Sequence, residues 1–446
     1  MRNVSSVNES TFIAELGLRR SLVDALTLKT LFYLGEASIH ELAKQMCISR
    51  AVADQVFQRL RREELVHATG MAAVGGVHHV TLTGAGRARA VELLQVDQYV
   101  GPAPVTLEDY VKKIHAQSVR DLEVGPEDVH RAFRHLVIDE NVLAQLGTAV
   151  ISGRAIFLYG PPGTGKTTVA ETLAEIFRET TVLIPHAIDV DGQTITVYDS
   201  HVHERVDDDV PVSDPRWVTC RRPCAVVGGE LTIDMLDLQF NPISKFYTAP
   251  VQMRANNGVL IIDDFGRQRV HPDELLNRWV VPLDRRIDYL TLAGGKKLQI
   301  PFDLFVVFAT NLDPATVIEE AFLRRIQTKI LLEGVAPEQF HEIAKGVCAK
   351  VNVEYDGAVI AHLMHLVLDE FQQPLRACYP RDLIYQIAWR AQYEQRPPEL
   401  TIDAIEEACQ AYFIQARRRI RDVEGDRVRA DAPVSNGSSP IGPGIS

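Results

Sequence analysis

One string constrains this chain more than any other feature in it. The segment RAIFLYGPPGTGKTTVAETLAEIF runs from an apolar stretch, Ala155 to Tyr159, through Gly160, Pro161, Pro162, Gly163, Thr164, Gly165, Lys166, Thr167 and Thr168 into a helical pattern. That order is the strand, turn and helix unit of a parallel α/β layer. The glycines let consecutive backbone N–H groups point inward, and the start of the helix adds its dipole. The string is therefore built to hold a row of phosphates. Lys166 is placed to neutralise the outer phosphates, and Thr167 offers a hydroxyl to Mg²⁺.

Such a loop needs a second strand that delivers a carboxylate to the metal, and GVLIIDDFGR supplies one. Val259 to Ile262 read as a buried strand with Asp263 and Asp264 at its end. Asp263 is the expected metal partner. Asp264 is expected to orient an attacking water, with a turn or helix-cap acid as the alternative. A third buried strand, Asp303 to Ala309, ends in Thr310 and Asn311, so a polar amide is expected at the same sheet edge. Farther on, EAFLRRI presents Arg324 and Arg325, and YPRDLI presents Arg381. Each is either surface charge or a cation that meets the outer phosphate during transfer.

The 446 residues allow two to four domains. Hydrophobic residues at 46% and charged residues at 24% describe a folded globular chain. The formal charge of -12, from 47 basic and 59 acidic residues, argues against a surface that coats nucleic acid throughout. Six scattered cysteines make no disulfide framework. The first twenty residues lack the apolar core of an export signal, and no uninterrupted apolar run reaches membrane-spanning length. A cytoplasmic location without an integral membrane segment is the expectation. His201, His203, Cys220 and Cys224 carry zinc-ligand chemistry, but their spacing fits no standard finger, and ordinary packing or exposure is preferred.

Along the chain, residues 1–98 read as three amphipathic helices, a strand, a Gly-Gly turn, a second strand and a returning helix. Ser38 and Ser49 are expected helix N-caps. This is the layout of a winged helix-turn-helix domain. Arg50, Arg59, Arg61 and Arg62 on its third helix could meet DNA, although docking to a protein is the favoured role. Residues 99–130 read as a connector. The mixture of Gly, Pro, Ser and charge over 424–446 reads as a disordered tail.

With these motifs in view, residues from about 130 to 420 resemble AAA+ ATPases. The Walker A string GPPGTGKT and the Walker B strand ending at Asp263 are the specific anchors. The resemblance implies an α/β fold with a parallel sheet flanked by helices over 131–334 and a C-terminal helical lid over 335–423. It implies ATP and Mg²⁺ as ligands, and ATP hydrolysis as the reaction. It also implies Asn311 as sensor 1, Arg325, with Arg324, as the arginine finger reaching a neighbouring subunit, and Arg381 as sensor 2. Adenine is expected against the segment around Val137 and Ile138. Walker B departs from the family by ending Asp-Asp rather than Asp-Glu, which shortens the acid facing the water by one methylene.

The stretch between Lys166 and Asp263 is longer than one helix and one strand require, so an insertion is expected there. It includes a hairpin at the DG turn of IDVDGQTITVYD. A second hairpin at Gly294 and Gly295 precedes the sensor 1 strand, an order similar to the MoxR, magnesium chelatase and σ54-activator group. The resemblance further implies a ring, expected to be a homo-hexamer, that remodels a protein client; Phe246 and Tyr247 are the candidate aromatic pore loop, with packing in the core an equal alternative. An ATP-regulated winged-helix DNA-binding regulator with slow turnover is the alternative.

Overall fold

Two serines fix where the first helices begin. In the computed structural model, which describes residues 16–71, 78–206, 213–317 and 319–413, Glu41 N donates to Ser38 Oγ and Ser38 N donates back to Glu41 Oε2, at 3.2 and 2.7 Å. Ser49 Oγ accepts from Val52 N at 3.3 Å. Both expected caps are therefore present, each satisfying an otherwise orphaned helix donor. The elements in order are α1 (Arg20–Leu34), β1 (Glu36–Ser38), α2 (Ile39–Gln45), α3 (Arg50–Arg62), β2 (Val66–Met71), β3 (His78–Leu82) and α4 (Gly84–Val96). The three strands pair antiparallel in the order β1-β3-β2. Strand β1 escapes a sequence reading because three residues show no periodicity. Val52, Val56, Phe57 and Leu60 of α3 pack with Leu26, Val66 and Val80 in one apolar cluster. The expected Gly75–Gly76 turn, the continuation of the last lid helix beyond residue 413, and the 424–446 tail lie outside the described residues.

The chain divides into two compact units, one formed by residues up to Gly160 with Lys166–Leu332, the other by Pro161–Gly165 with the chain from Glu333 onward. The expected connector is structured within the first unit. It contributes β4 (Val105–Thr106), α5 (Leu107–Ala116), α6 (Pro126–Phe133) and, just beyond it, α7 (Glu140–Ser152).

Next come β5 (Ile156–Tyr159), α8 (Lys166–Arg178), β6 (Thr181–Pro185), β7 (Ala187–Val190), β8 (Gln193–Thr196), β9 (Trp217–Arg221), β10 (Cys224–Val227), β11 (Gln239–Phe240), β12 (Tyr247–Thr248), α9 (Val251–Arg254) and β13 (Val259–Ile262). They are followed by α10 (Pro272–Arg285), β14 (Ile287–Thr291), β15 (Lys297–Pro301), β16 (Phe305–Thr310), α11 (Pro314–Val317), α12 (Glu320–Leu323) and β17 (Thr328–Leu331).

Five of these strands make one parallel sheet, in the order β10-β13-β16-β5-β17. Their apolar runs bury both faces, as a parallel sheet flanked by helices requires. Phe157 and Phe308 sit in the cluster on one face, Ile156, Leu158 and Ile261 in that on the other. Both expected hairpins form: β7 pairs with β8 and β14 with β15, antiparallel. With β4 of the connector, the insertion also builds a second sheet, β11-β12-β8-β7-β4, of which the sequence announced only the β7–β8 hairpin.

The second unit is helical, with α13 (Pro337–Lys350), α14 (Gly357–His365), α15 (Cys378–Tyr393) and α16 (Ile402–Tyr412) packed about Phe340, Leu363, Leu383 and Ile405.

Candidate active site

Parallel register brings the functional residues of the first unit to one edge. Tyr159 is opposite Thr310, and Ile262 is opposite Phe308. The residues that follow these strands, Gly160, Asp263 and Asn311, therefore leave the sheet at its carboxyl end, where open α/β sheets bind ligands.

Gly160 has φ 142°, and a Cβ there would stand 2.1 Å from the Leu332 carbonyl oxygen. No larger residue fits. Lys166, only 7% exposed, opens α8 and donates from Nζ to Gly160 O at 3.0 Å. Thr167 Oγ1 donates to Asp263 Oδ2 at 2.8 Å. Thr168 lies one position farther along the helix, half-buried. Asp264 has φ 48°, a left-handed backbone that redirects its side chain at the strand exit. Its Oδ1 accepts from Asn311 Nδ2 at 2.9 Å, and its N–H donates to Asp263 Oδ1 at 2.9 Å.

Two residues to which a sequence reading gave no role hold this exit turn. Gln268 Nε2 donates to Asp263 O at 2.8 Å, and Thr310 Oγ1 donates to Phe265 O at 2.7 Å. A buried hydroxyl at the end of β16 was the available signal for Thr310; Gln268 offered none beyond its closeness to the aspartates.

The remaining loop residues, Pro161, Pro162, Gly163, Thr164 and Gly165, are described with the second unit. Thr164 Oγ1 donates to Pro161 O at 3.0 Å, and Cys378 N donates to Gly163 O at 3.2 Å. A Cβ at Gly163 would stand 2.5 Å from Cys378 Sγ. A cavity of about 370 Å³ adjoins Pro162 and Gly163.

The three arginines are each engaged by a nearby acid. Arg324 Nη2 donates to Glu320 Oε1 at 2.6 Å with its side chain 77% exposed, and Arg325 Nε donates to Asp284 Oδ2 at 2.9 Å. Arg381 Nε donates to Asp382 Oδ1 at 2.8 Å, a bond that raises the guanidinium pKa further. Asp382 also accepts from Tyr412 Oη at 3.0 Å.

Two sequence expectations are settled by burial. Tyr247 is buried, and Phe246 packs edge to face on Tyr99 with ring centroids 5.7 Å apart, so neither forms an exposed aromatic grip. His203 Nδ1 accepts from Asp199 N at 2.9 Å and its Nε2 lies 2.8 Å from Arg254 O, so both ring nitrogens are used. Burial lowers the His203 pKa and pushes the Cys220 and Cys224 thiols up to about 12 and about 11. Among the described residues no group of three or more His, Cys, Asp or Glu is placed to hold a metal ion, and no helix is long and apolar enough to cross a membrane.

Residues 156–211 match the family model described as ATPase family associated with various cellular activities (AAA). Over those residues the chain is similar to the AAA ATPase family. Beyond the AAA match, residues 336–411 match a domain of unknown function, DUF8689. No curated protein matches. Among solved structures, the chain is similar to the RuvB Holliday junction branch migration motor of Thermotoga maritima, at 15% identity over 61% of this chain and 69% of that one, with a TM-score of 0.36. It is also similar to NtrX from Brucella abortus in complex with ADP, at 12% identity over 72% of this chain and 65% of that one, with a TM-score of 0.39. Likeness at these scores transfers no role to this chain.

Proposed function

We propose that the protein hydrolyses Mg²⁺-ATP at the loop from Gly160 to Thr168 and uses the cycle to remodel a protein partner. The observation that carries this reading is the convergence of Thr167 on Asp263 and of Asn311 on Asp264 at one sheet edge. Mg²⁺ fits the donor set: a hydroxyl and a carboxylate oxygen are hard ligands, and two of them suit an ion that keeps waters and phosphate oxygens for its remaining positions. When bound, it supplies charge neutralisation on those oxygens.

The chain's own residues do the rest. Backbone amides of the loop and the start of α8 bind the phosphates, and Lys166 exchanges its Gly160 carbonyl for a phosphate oxygen. Asp264 accepts a hydrogen bond from the attacking water and so aims it at the terminal phosphorus. Asn311 holds that carboxylate in place. The left-handed backbone at Asp264 sets the direction of a side chain one methylene shorter than the usual glutamate.

Arg325, with Arg324 beside it, serves a neighbouring subunit's nucleotide in a ring, a homo-hexamer in this reading, and Arg381 follows nucleotide state in the lid. The N-terminal helices and antiparallel sheet act as a winged helix that docks the partner. In the DNA-binding alternative, Arg59 is taken by Asp24, with Nε 3.0 Å from Oδ2, and Arg62 Nε donates to Gln58 O at 3.3 Å. Phosphate release measured with and without Mg²⁺ for wild type and Asp264→Asn tests the enzyme reading. Equal rates in the two proteins would overturn it.

A further inference from the structure

A second cavity, of about 250 Å³, lies wholly within the first compact unit, along the seam between the amino-terminal helices and the β7–β8 hairpin. Leu22 and Leu26 of α1 and Leu93 and Val96 of α4 give it apolar walls, and two cations, Arg19 and Lys29, line it as well. Lys29, only 4% exposed, donates from Nζ to Asp97 O at 3.0 Å and to Asp97 Oδ2 at 3.2 Å. An ammonium has three donors, so among the described residues its third hydrogen has no partner. A buried donor in that state has given up water without replacement. Arg19 sits at the N-cap of α1 without a side-chain capping bond, and its side chain makes no hydrogen bond or ion pair among the described residues. Its guanidinium lies on the hairpin turn, where a Cβ at Gly192 would stand 2.4 Å from Arg19 Nη2. Asp189 and Asp191 feel that charge, but they are held by Gly192 N and by Lys296.

We infer that this cavity binds a medium-chain organic acid, with its carboxylate on Arg19, its apolar body along the leucines and an oxygen acceptor at the far end for Lys29. The two cations ask for different groups. Asp97 already balances the Lys29 charge, so Lys29 lacks an acceptor rather than an anion. Arg19 has no carboxylate of its own, and a planar carboxylate matches a guanidinium with charge-assisted hydrogen bonds. The two residues are ten positions apart, about 15 Å along a helix, with Leu22 and Leu26 between them. A chain of about eight carbons, together with the reach of both side chains, spans that length. At about 30 Å³ for each water-sized group, the cavity holds on the order of ten non-hydrogen atoms. Val96 is 73% exposed, and an apolar ligand body would take that surface from water. A polyphosphate would gain nothing from such walls. None of these residues belongs to the phosphate loop, so the inference stands apart from the ATP reading.

Calorimetric titration of the full chain with octanoate, 8-hydroxyoctanoate, octanol and octylamine tests this. Octanoate should bind with saturation below about 10 mM, a modest demand for a ligand of this size. Octanol and octylamine should bind at least about tenfold more weakly, and 8-hydroxyoctanoate at least as tightly as octanoate. Arg19→Gln should weaken octanoate by about tenfold and leave octanol unchanged. Ala25→Phe, which places a ring in the cavity, should abolish binding of all four. Thermal unfolding without ligand identifies a variant that no longer folds. Should that happen to Ala25→Phe, the exposed Arg19→Gln decides the matter alone. No saturable octanoate binding, equal affinity for octylamine, or an Arg19→Gln protein that binds octanoate as wild type does would each overturn the site. An 8-hydroxyoctanoate affinity tenfold below that of octanoate would overturn the contact with Lys29.

Discussion

The cluster at the sheet edge and the arginines differ in what completes them. Thr167, Asp263, Asp264 and Asn311 already bond to one another at the end of the parallel sheet. Arg324, Arg325 and Arg381 instead rest on Glu320, Asp284 and Asp382. The first group is assembled by strand register, so the fold alone preorganises it. The second is parked on acids close by, so each arginine must exchange an ion pair before it can meet a phosphate. Exposed pairs of this kind are worth at most about 1 kcal/mol, which makes that exchange inexpensive. The contrast teaches that preorganisation in this chain ends where the sheet edge ends.

The largest expected effect probes the preorganised side. Lys166→Ala should weaken ATP binding on the order of 10²-fold or more and remove measurable turnover, since a buried ammonium is lost from the phosphate loop. Titration with labelled ATP reads this, and full binding would break the assignment. On the other side of the contrast, Arg325→Ala should lower turnover roughly 10³-fold in the assembled protein while sparing nucleotide affinity. A turnover rate that neither falls nor depends on protein concentration would show that Arg325 serves no neighbour.

Asp264→Asn should reduce phosphate release about 10²-fold with ATP still bound, because a neutral amide accepts the water's hydrogen bond more weakly than a carboxylate and aims it less firmly. Asn311→Ala should cost about tenfold in the same assay, the worth of one hydrogen bond to a charged group. A loss equal to that of Asp264→Asn would make Asn311 more than a holder of the carboxylate.

The smallest effect lies away from the site. His203 is buried with a pKa below its ordinary value of 6.5. The unfolded chain then binds its proton first as pH falls. Its stabilising contribution is complete above pH 6.5 and is lost progressively below it. Denaturant unfolding between pH 7.5 and pH 5 should show that decline, and His203→Gln should flatten it.

Much of the candidate site's edge was legible because each strand is a continuous apolar run that stops at a polar residue. Val259–Ile262 and Asp263 illustrate this, and the observed strand has the predicted bounds. The partners of the arginines were not legible, since Asp284 reaches Arg325 only after α10 and the segment past α12 pack together. The second sheet was hidden for another reason: β4 and β12 have two residues each, too few to show alternation. Phe246 shows the limit of composition. An aromatic beside Lys245 and Pro242 reads equally as a surface grip or a core residue, and only Tyr99 decides it.

The joint between the amino-terminal helices and the insertion has a practical corollary. Ala103 N donates to Met46 O at 2.7 Å, Gln98 N donates to Ser244 O at 2.9 Å, and Phe246 and Ala187 lie against the apolar cluster of those helices. Deleting residues before 99 would strip Ala187 and Phe246 bare and leave Ser244 O without a mate inside the stretch that leads from the Lys166 helix to Asp263, and leave Ala103 N unpaired in the connector. A shortened protein that lost activity would be reporting injury to its own scaffold. Point changes on the solvent side of α3, such as Arg61→Glu, are the gentler scalpel for asking what the amino-terminal part holds.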